Sequence, residues 1–238
     1  MTSHAVLNSE AHRELRVRTE RGGDLGDAVM CCITVPAEFR QVQNEYPILF
    51  RRNAERDSFA ALAMFGFETG ENLYLDGARW DARYVPLAMA IQPFLVGFTG
   101  PESETKQVHI DMASPRISDA SGVRVFDEQG RPTPYLESIA EKLGTLDAGY
   151  QASADFFAAL RRHALLEPLS VEVTLDEGST HRLVGFHVID EEKVRGLDSA
   201  ALGELHEDGH LMPIFMALAS LANLSALVAR KNRRVARG

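Results

Sequence analysis

The strongest constraint on the fold lies between Pro134 and Ala164. A heptad runs through it, with Leu136, Leu143, Tyr150, Phe157 and Ala164 at one position and Ile139, Leu146, Ser153 and Leu160 at the other. Such spacing turns one stripe of a helix toward a packing partner, and Pro134 suits the first helical turn. Gly144 and Gly149 interrupt the pattern and predict a bend or a break there. A helix over 134–164 must therefore lie along a sheet or fold back as a helical hairpin.

The sheet is legible on both sides of this segment. "LSVEVTL", the turn "DEGSTH" and "RLVGFHVI" read as a β-hairpin, because Val171, Val173 and Leu175 alternate with Glu172, Thr174 and Asp176. Upstream, "AVMCCITV", "PILFRR", "SFAALAMFGF", "FLVGFT" and "KQVHIDM" read as strands. "PAEFRQVQNEY" and "RYVPLAMAIQPF" read as short helices, and "GPESET" as an acidic loop. "SPRISDASG" reads as a polar loop and "DSAALGELHEDGH" as a short helix with a loop. Strands come first, then helix, hairpin and helix. That order predicts an α+β fold with a mostly antiparallel sheet, a long central helix and a C-terminal apolar helix over about 211–230. Residues 1–25, ending in "GGDLGD", read as a loosely held arm, and 26–238 as a single domain.

"LMPIFMALASLANLSALVA", residues 211–229, carries no charge. Its length approaches the roughly 20 apolar residues that span a bilayer. Pro213, Ser220, Asn223 and Ser225 interrupt it, and Leu218, Leu221, Leu224, Leu227 and Val228 form one stripe. The expectation is a helix packed in a soluble core, without a transmembrane span. A homodimer interface and a tail anchor are the alternatives.

Charge and cysteine usage narrow the function classes. The 238-residue chain has a formal net charge of −9, which argues against nucleic acid as the main partner. Basic residues cluster in "ARKNRRVARG" at the C-terminus, which reads as a solvated tail, with a patch for anionic lipid or another protein as the alternative. The two cysteines, Cys31 and Cys32, are adjacent in an apolar strand. They form no zinc motif, are poorly placed to bridge, and suit a reducing compartment. "MTSHAVLNSEAHRELRVRTE" has no apolar run like a signal peptide, so the expected location is the cytoplasm.

Catalytic signatures are sparse. The chain holds no G-x-S-x-G elbow, no phosphate loop and no G-x-G-x-x-G. "VHIDM" places His109 and Asp111 on one face of a strand. With His181, His187 or His206 they would make the two-His-one-carboxylate set of an iron(II) oxygenase. "HEDGH" spaces His206 and His210 four apart, but Asp-Gly between them favours a loop. The richest recognition segment is "ENLYLDGARWDARYVP", residues 71–86. Asp76-Gly77 signals a hairpin turn. Asp76, Arg79, Trp80, Asp81, Arg83 and Tyr84 combine aromatic and guanidinium groups, the usual anchors of an interface. A turn with a local salt-bridge network is the simpler reading.

This segment also carries a resemblance. "VPAEFRQVQNEYPILFRR", "ALAMFGFETGENLYLDGARWDARYVP", "FDEQGRPTPYLESI" and "LLEPLSVEVTLDEGSTHRLVGFHVIDEEKVRGL" follow one another as they do in the SapC family, which the chain resembles from about residue 12 to 230. The resemblance implies a proteobacterial protein whose family name is linked to surface layers. It also implies gene neighbours that include outer-membrane receptors, flavin-dependent halogenase-like enzymes and cupin-like oxygenases. It carries over no catalytic residue and no cofactor. Sequence and resemblance together predict a non-enzymatic accessory protein with a protein partner: a halogenase-like or cupin-like oxygenase, or a member of a receptor pathway. An iron(II) oxygenase using His109 and Asp111, and a surface-layer or envelope-associated structural protein, are the alternatives.

Overall fold

The computed structural model describes residues 3–53, 58–98 and 105–237, so most of the acidic loop "GPESET" lies outside the described residues. Along the chain come β1 (His4–Val6), β2 (Arg16–Val17), β3 (Cys31–Thr34), α1 (Phe39–Val42), β4 (Ile48–Asn53) and β5 (Ser58–Met64). Then follow β6 (Leu75–Asp76), β7 (Arg79–Trp80), α2 (Leu87–Ala90), β8 (Phe94–Phe98), β9 (Lys106–Asp111), β10 (Ile117–Ser118) and β11 (Val123–Arg124). The last third holds α3 (Pro134–Arg162), β12 (Leu166–Thr174), β13 (Thr180–Ile189), α4 (Glu191–Arg195), α5 (Ser199–Glu207), α6 (Leu211–Ser220) and α7 (Asn223–Val235). The fold is α+β, and every strand pairing is antiparallel.

Two compact units divide the chain. The first comprises Met1–Ala28, Leu75–Trp80 and Leu87–Ala148, and the second Val29–Tyr74, Asp81–Pro86 and Gly149–Gly238. In the first, sheets of order β1-β9-β8 and β10-β2-β11 accompany the hairpin β6-β7. Residues 1–25, expected as an arm, supply β1 and β2. Val17, Ile91, Phe94, Ile110, Val125, Phe126, Leu136, Ile139 and Leu143 form the core. Beside it lies a buried charge cluster. Arg116, 2% exposed, donates from Nη2 to Asp27 Oδ1 at 2.7 Å and from Nη1 to the carbonyls of Arg18 and Glu20. Arg21 Nη1 lies 3.3 Å from the same carboxylate.

The second unit is built on the five-stranded sheet β12-β13-β4-β5-β3. Phe156, on the C-terminal half of α3, meets Phe39 edge-on at 6.1 Å, and Phe157 meets Phe50 at 6.2 Å. The long hairpin β12-β13 pairs from Leu166↔Ile189 to Thr174↔Thr180, as the alternating residues require. β3 is an edge strand rather than a buried one, and Ile33 stays 43% exposed.

α3 is continuous through both glycines. Its buried stripe includes Leu136, Ile139 and Leu143, then Ser153, Phe156 and Leu160, whereas Tyr150 is 52% exposed. A straight helix drifts about 20° per heptad, so by its second half the inward position has moved from Tyr150 to Gly149. A Cβ built on Gly149 would come within 2.6 Å of Val35 Cγ2, while one on Gly144 meets nothing within 4 Å. Gly144→Ala is therefore expected to stabilise the protein by about 0.5–1 kcal/mol through helix propensity. Gly149→Ala is expected to destabilise it, because crowding a fixed β-branched neighbour costs about 1–3 kcal/mol and exceeds that gain. Chemical denaturation of the two variants reads the opposite signs.

Leu211–Val235 is long and apolar enough, by length and composition, to cross a membrane. The expected C-terminal helix is present as α6 and α7, and Leu221 and Ala222 between them keep right-handed helical backbone angles. The inward side is firmly tied. Ser220 Oγ accepts from the Ile48 amide at 2.9 Å, Lys231 Nζ donates to Glu71 Oε1 at 2.6 Å, and Arg230 pairs with Asp81. Two cations of the basic C-terminal run, Arg230 and Lys231, thus dock on Asp81 and on Glu68 and Glu71.

Candidate functional site

Residues 81–86 are strapped to α1 and its flanks by the carboxylates of Glu38, which is buried, and Glu45, which is half-buried. Glu45 accepts from the Arg83 amide at 2.8 and 3.0 Å and from the Tyr84 amide at 3.2 Å. Glu38, 3% exposed, accepts from the Tyr84 hydroxyl at 2.8 Å, and its other oxygen takes the Thr34 hydroxyl at 2.8 Å. The Tyr46 hydroxyl donates to the Tyr84 carbonyl. Asp81 is fixed from its other side. Arg230 donates to its carboxylate and to its carbonyl, both at 2.8 Å, while the guanidinium lies 4.3 Å over the Tyr74 ring.

These ties leave one group free. The Arg83 side chain is exposed, and among the described residues its guanidinium has no hydrogen-bond or ion-pair partner. It borders a cavity of about 650 Å³ together with Gln41, Asn44, Glu45 and Tyr84. Gln41, Asn44 and Glu45 share the outer face of the turn that begins at Phe39, at i, i+3 and i+4 spacing. Among the described residues no Ser, Cys or His lines this cavity. A clamped backbone presenting an unpaired guanidinium is suited to seize a carboxylate in a bidentate pair.

The six residues expected from sequence fall in different places. Asp81, Arg83 and Tyr84 belong to the second unit and Asp76, Arg79 and Trp80 to the first. Asp76 and Arg79 pair across the β6-β7 turn at 3.8 Å, with both side chains well exposed. Trp80 is only 7% exposed, and the Arg21 guanidinium lies 5.8 Å over its ring. It is a packed side chain with little surface to offer a partner. Sequence reasoning missed Glu45, Gln41 and Asn44. Their signal was the polar face in "QVQNE", but the pairing of Glu45 with the Arg83 amide spans 38 positions and leaves no local trace.

His109 and Asp111 do lie on one strand. The His109 ring occupies the space above Gly97, where an added Cβ would come within 2.5 Å of it. Its Nε2 is buried and has no hydrogen-bond partner among the described residues. Asp111 Oδ1 instead accepts from the Ser3 and Ala113 amides at 3.2 and 3.1 Å. His181 pairs with Glu68 at 2.9 Å, His187 packs edge-on against Phe59, and His206 sits on α5. Among the described residues no group of three or more His, Cys, Asp or Glu is arranged to hold a metal ion. In "HEDGH", Gly209 at φ +74° follows the end of α5, and His210 falls beyond it in the loop the sequence predicted.

Burial pushes the Tyr84 hydroxyl far above its ordinary value, with Glu38 adding to the shift. Burial likewise raises Tyr74, against the opposing pull of Arg230. Both stay protonated in the folded protein where the unfolded chain ionises. The stability they confer is complete below a pH of about 10 and is lost as pH rises beyond it. Tyrosinate absorbance should thus titrate in two stages, with Tyr74 and Tyr84 appearing only as the fold is lost in alkali. Burial also raises both cysteine thiols, which keeps them protonated near neutrality.

No curated protein and no solved structure matches the chain. A family profile does: the SapC profile aligns with residues 7–227, nearly the whole chain. The blocks quoted from the sequence, including the segment that carries Arg83 and Tyr84, fall inside that span, and the protein belongs to the SapC family.

Proposed function

We propose that this SapC-family protein is a non-enzymatic accessory that binds a protein partner through the cavity at α1 and residues 81–86. The observation that carries the reading is the free, exposed guanidinium of Arg83 on a backbone held by Glu45. The backbone beneath the group is already ordered, and the guanidinium suits an Asp or Glu side chain, or a chain-terminal carboxylate. Tyr84 supplies a fixed aromatic wall, and Gln41 and Asn44 supply amide donors and acceptors at the rim. Among the described residues the cavity lining holds no Ser, Cys or His nucleophile, which favours binding over chemistry. In this reading the protein works in the cytoplasm without a cofactor. The partner is an oxygenase or halogenase-like enzyme, or a surface or receptor polypeptide that such an enzyme modifies.

The test is a comparison of tagged full-length protein and its Arg83→Ala variant, each purified from the native host, with mass spectrometry of what co-purifies. One stoichiometric protein recovered with the first and lost with the second supports the reading. Equal recovery with both removes Arg83 from it.

A further inference from the structure

The outward side of α6 and α7 has a regularity that the inward side does not explain. Met212, Phe215, Ala219, Ala222, Ala226 and Ala229 are all exposed, in alternating steps of three and four, with Ser225 beside them. Only 28% of the most apolar stretch of Leu211–Val235 is buried. Met212 and Phe215 are 54% and 50% exposed. Steps of three and four are the spacing of a coiled-coil seam. The helix cannot roll to hide this face, because Ile214, Ala217, Ser220, Leu227 and Lys231 are buried on the other side and the Arg230–Asp81 and Lys231–Glu71 pairs hold it there.

We propose that this face is the interface of an antiparallel homodimer, related by a twofold axis between Ser220 and Leu221. In an antiparallel pair about that axis, Met212 faces Ala229, Phe215 faces Ala226, and Ala219 faces Ala222. Each large side chain meets a small one, as close helix packing requires. A parallel pair would instead stack Phe215 on Phe215 and Arg233 on Arg233. The sequence is thus complementary to itself in one direction only, which is the condition for a closed, isologous contact. The seam is about 27 Å long and mostly alanine, so the dimer is a weak one, with a dissociation constant on the order of 10 µM.

Sedimentation velocity on the full chain over a concentration series tests this. The wild type should shift from monomer to dimer, and Ala222→Glu, beside the axis, should weaken association by at least about tenfold. Phe215→Ala should weaken it severalfold, and adding Ala226→Phe to the same chain, which again sets a large side chain against a small one, should restore it. These positions are exposed, and circular dichroism of each variant checks that the fold is kept. A wild-type protein that stays monomeric up to about 0.5 mM overturns the proposal. So does failure of the double reversal to rescue, and so does a monomer that instead co-sediments with phosphatidylcholine vesicles, which would assign the face to a membrane surface.

Discussion

Replacing Asp27 by Ala should destabilise the protein by about 3–5 kcal/mol, because it leaves a buried guanidinium without a counter-charge. Arg116 and Asp27 are 2% and 0% exposed, and Asp27 also accepts from the Gly22 amide at 2.9 Å. The carboxylate answers two cations, since Arg21 reaches it too. Burial lowers the Arg21 pKa, and the charge of Arg116 adds to the effect while Asp27 opposes it. Removing Asp27 would set the two cations against each other. Asp27→Leu combined with Arg116→Met removes the principal pair together, and should recover part of the loss seen with Asp27→Ala alone. Urea denaturation of the single and double variants gives the comparison. A single variant within about 1 kcal/mol of the wild type would contradict the assignment.

Phe156→Ala should cost about 3–5 kcal/mol by the same measurement. The ring is 1% exposed and meets Phe39, Phe157 and His210 at centroid distances of 6.1, 5.6 and 5.7 Å. Tyr150→Ala on the same helix should change stability by no more than about 0.5 kcal/mol, because that side chain is half exposed. The heptad read from sequence predicts a core role for Tyr150. The contrast therefore tests whether the buried stripe follows the 3.6-residue helix or the 3.5-residue repeat.

What was legible follows from how local the physics is. The helix from Pro134, the hairpin β12-β13 and the strands β4, β5, β8 and β9 each carry their pattern in a few consecutive residues, and each formed where the pattern placed it. The strands β2 and β10 did not show, whereas "VRVFDEQGRPTP" reads as a short strand and a tight turn and holds β11. β2 and β10 are two residues long, within polar sequence, and exist because distant partners are brought together. "SPRISDASG" reads as surface, yet its Arg116 is buried. A buried arginine has no periodic signature and depends on Asp27, 89 positions earlier. The recognition segment behaved the same way. Arg83 and Tyr84 could be named from composition, but the clamp that orients them, Glu38 and Glu45, comes from another part of the chain. Trp80 and Arg79 looked equivalent to Arg83 in sequence. Stacking of Arg21 over the indole, and the Asp76–Arg79 pair, give those side chains internal partners that Arg83 lacks.

The central claim is that Arg83 and its cavity receive a protein. It is tested most directly by placing a photo-crosslinking amino acid at Asn44, which borders the cavity, and irradiating living cells of the native host. The same residue at Glu192, on the exposed side of α4, serves as the control. The account predicts one discrete adduct from Asn44, none of that mass from Glu192, and loss of the adduct when Arg83→Ala is added. No adduct at Asn44, or an adduct that survives Arg83→Ala undiminished, would contradict it.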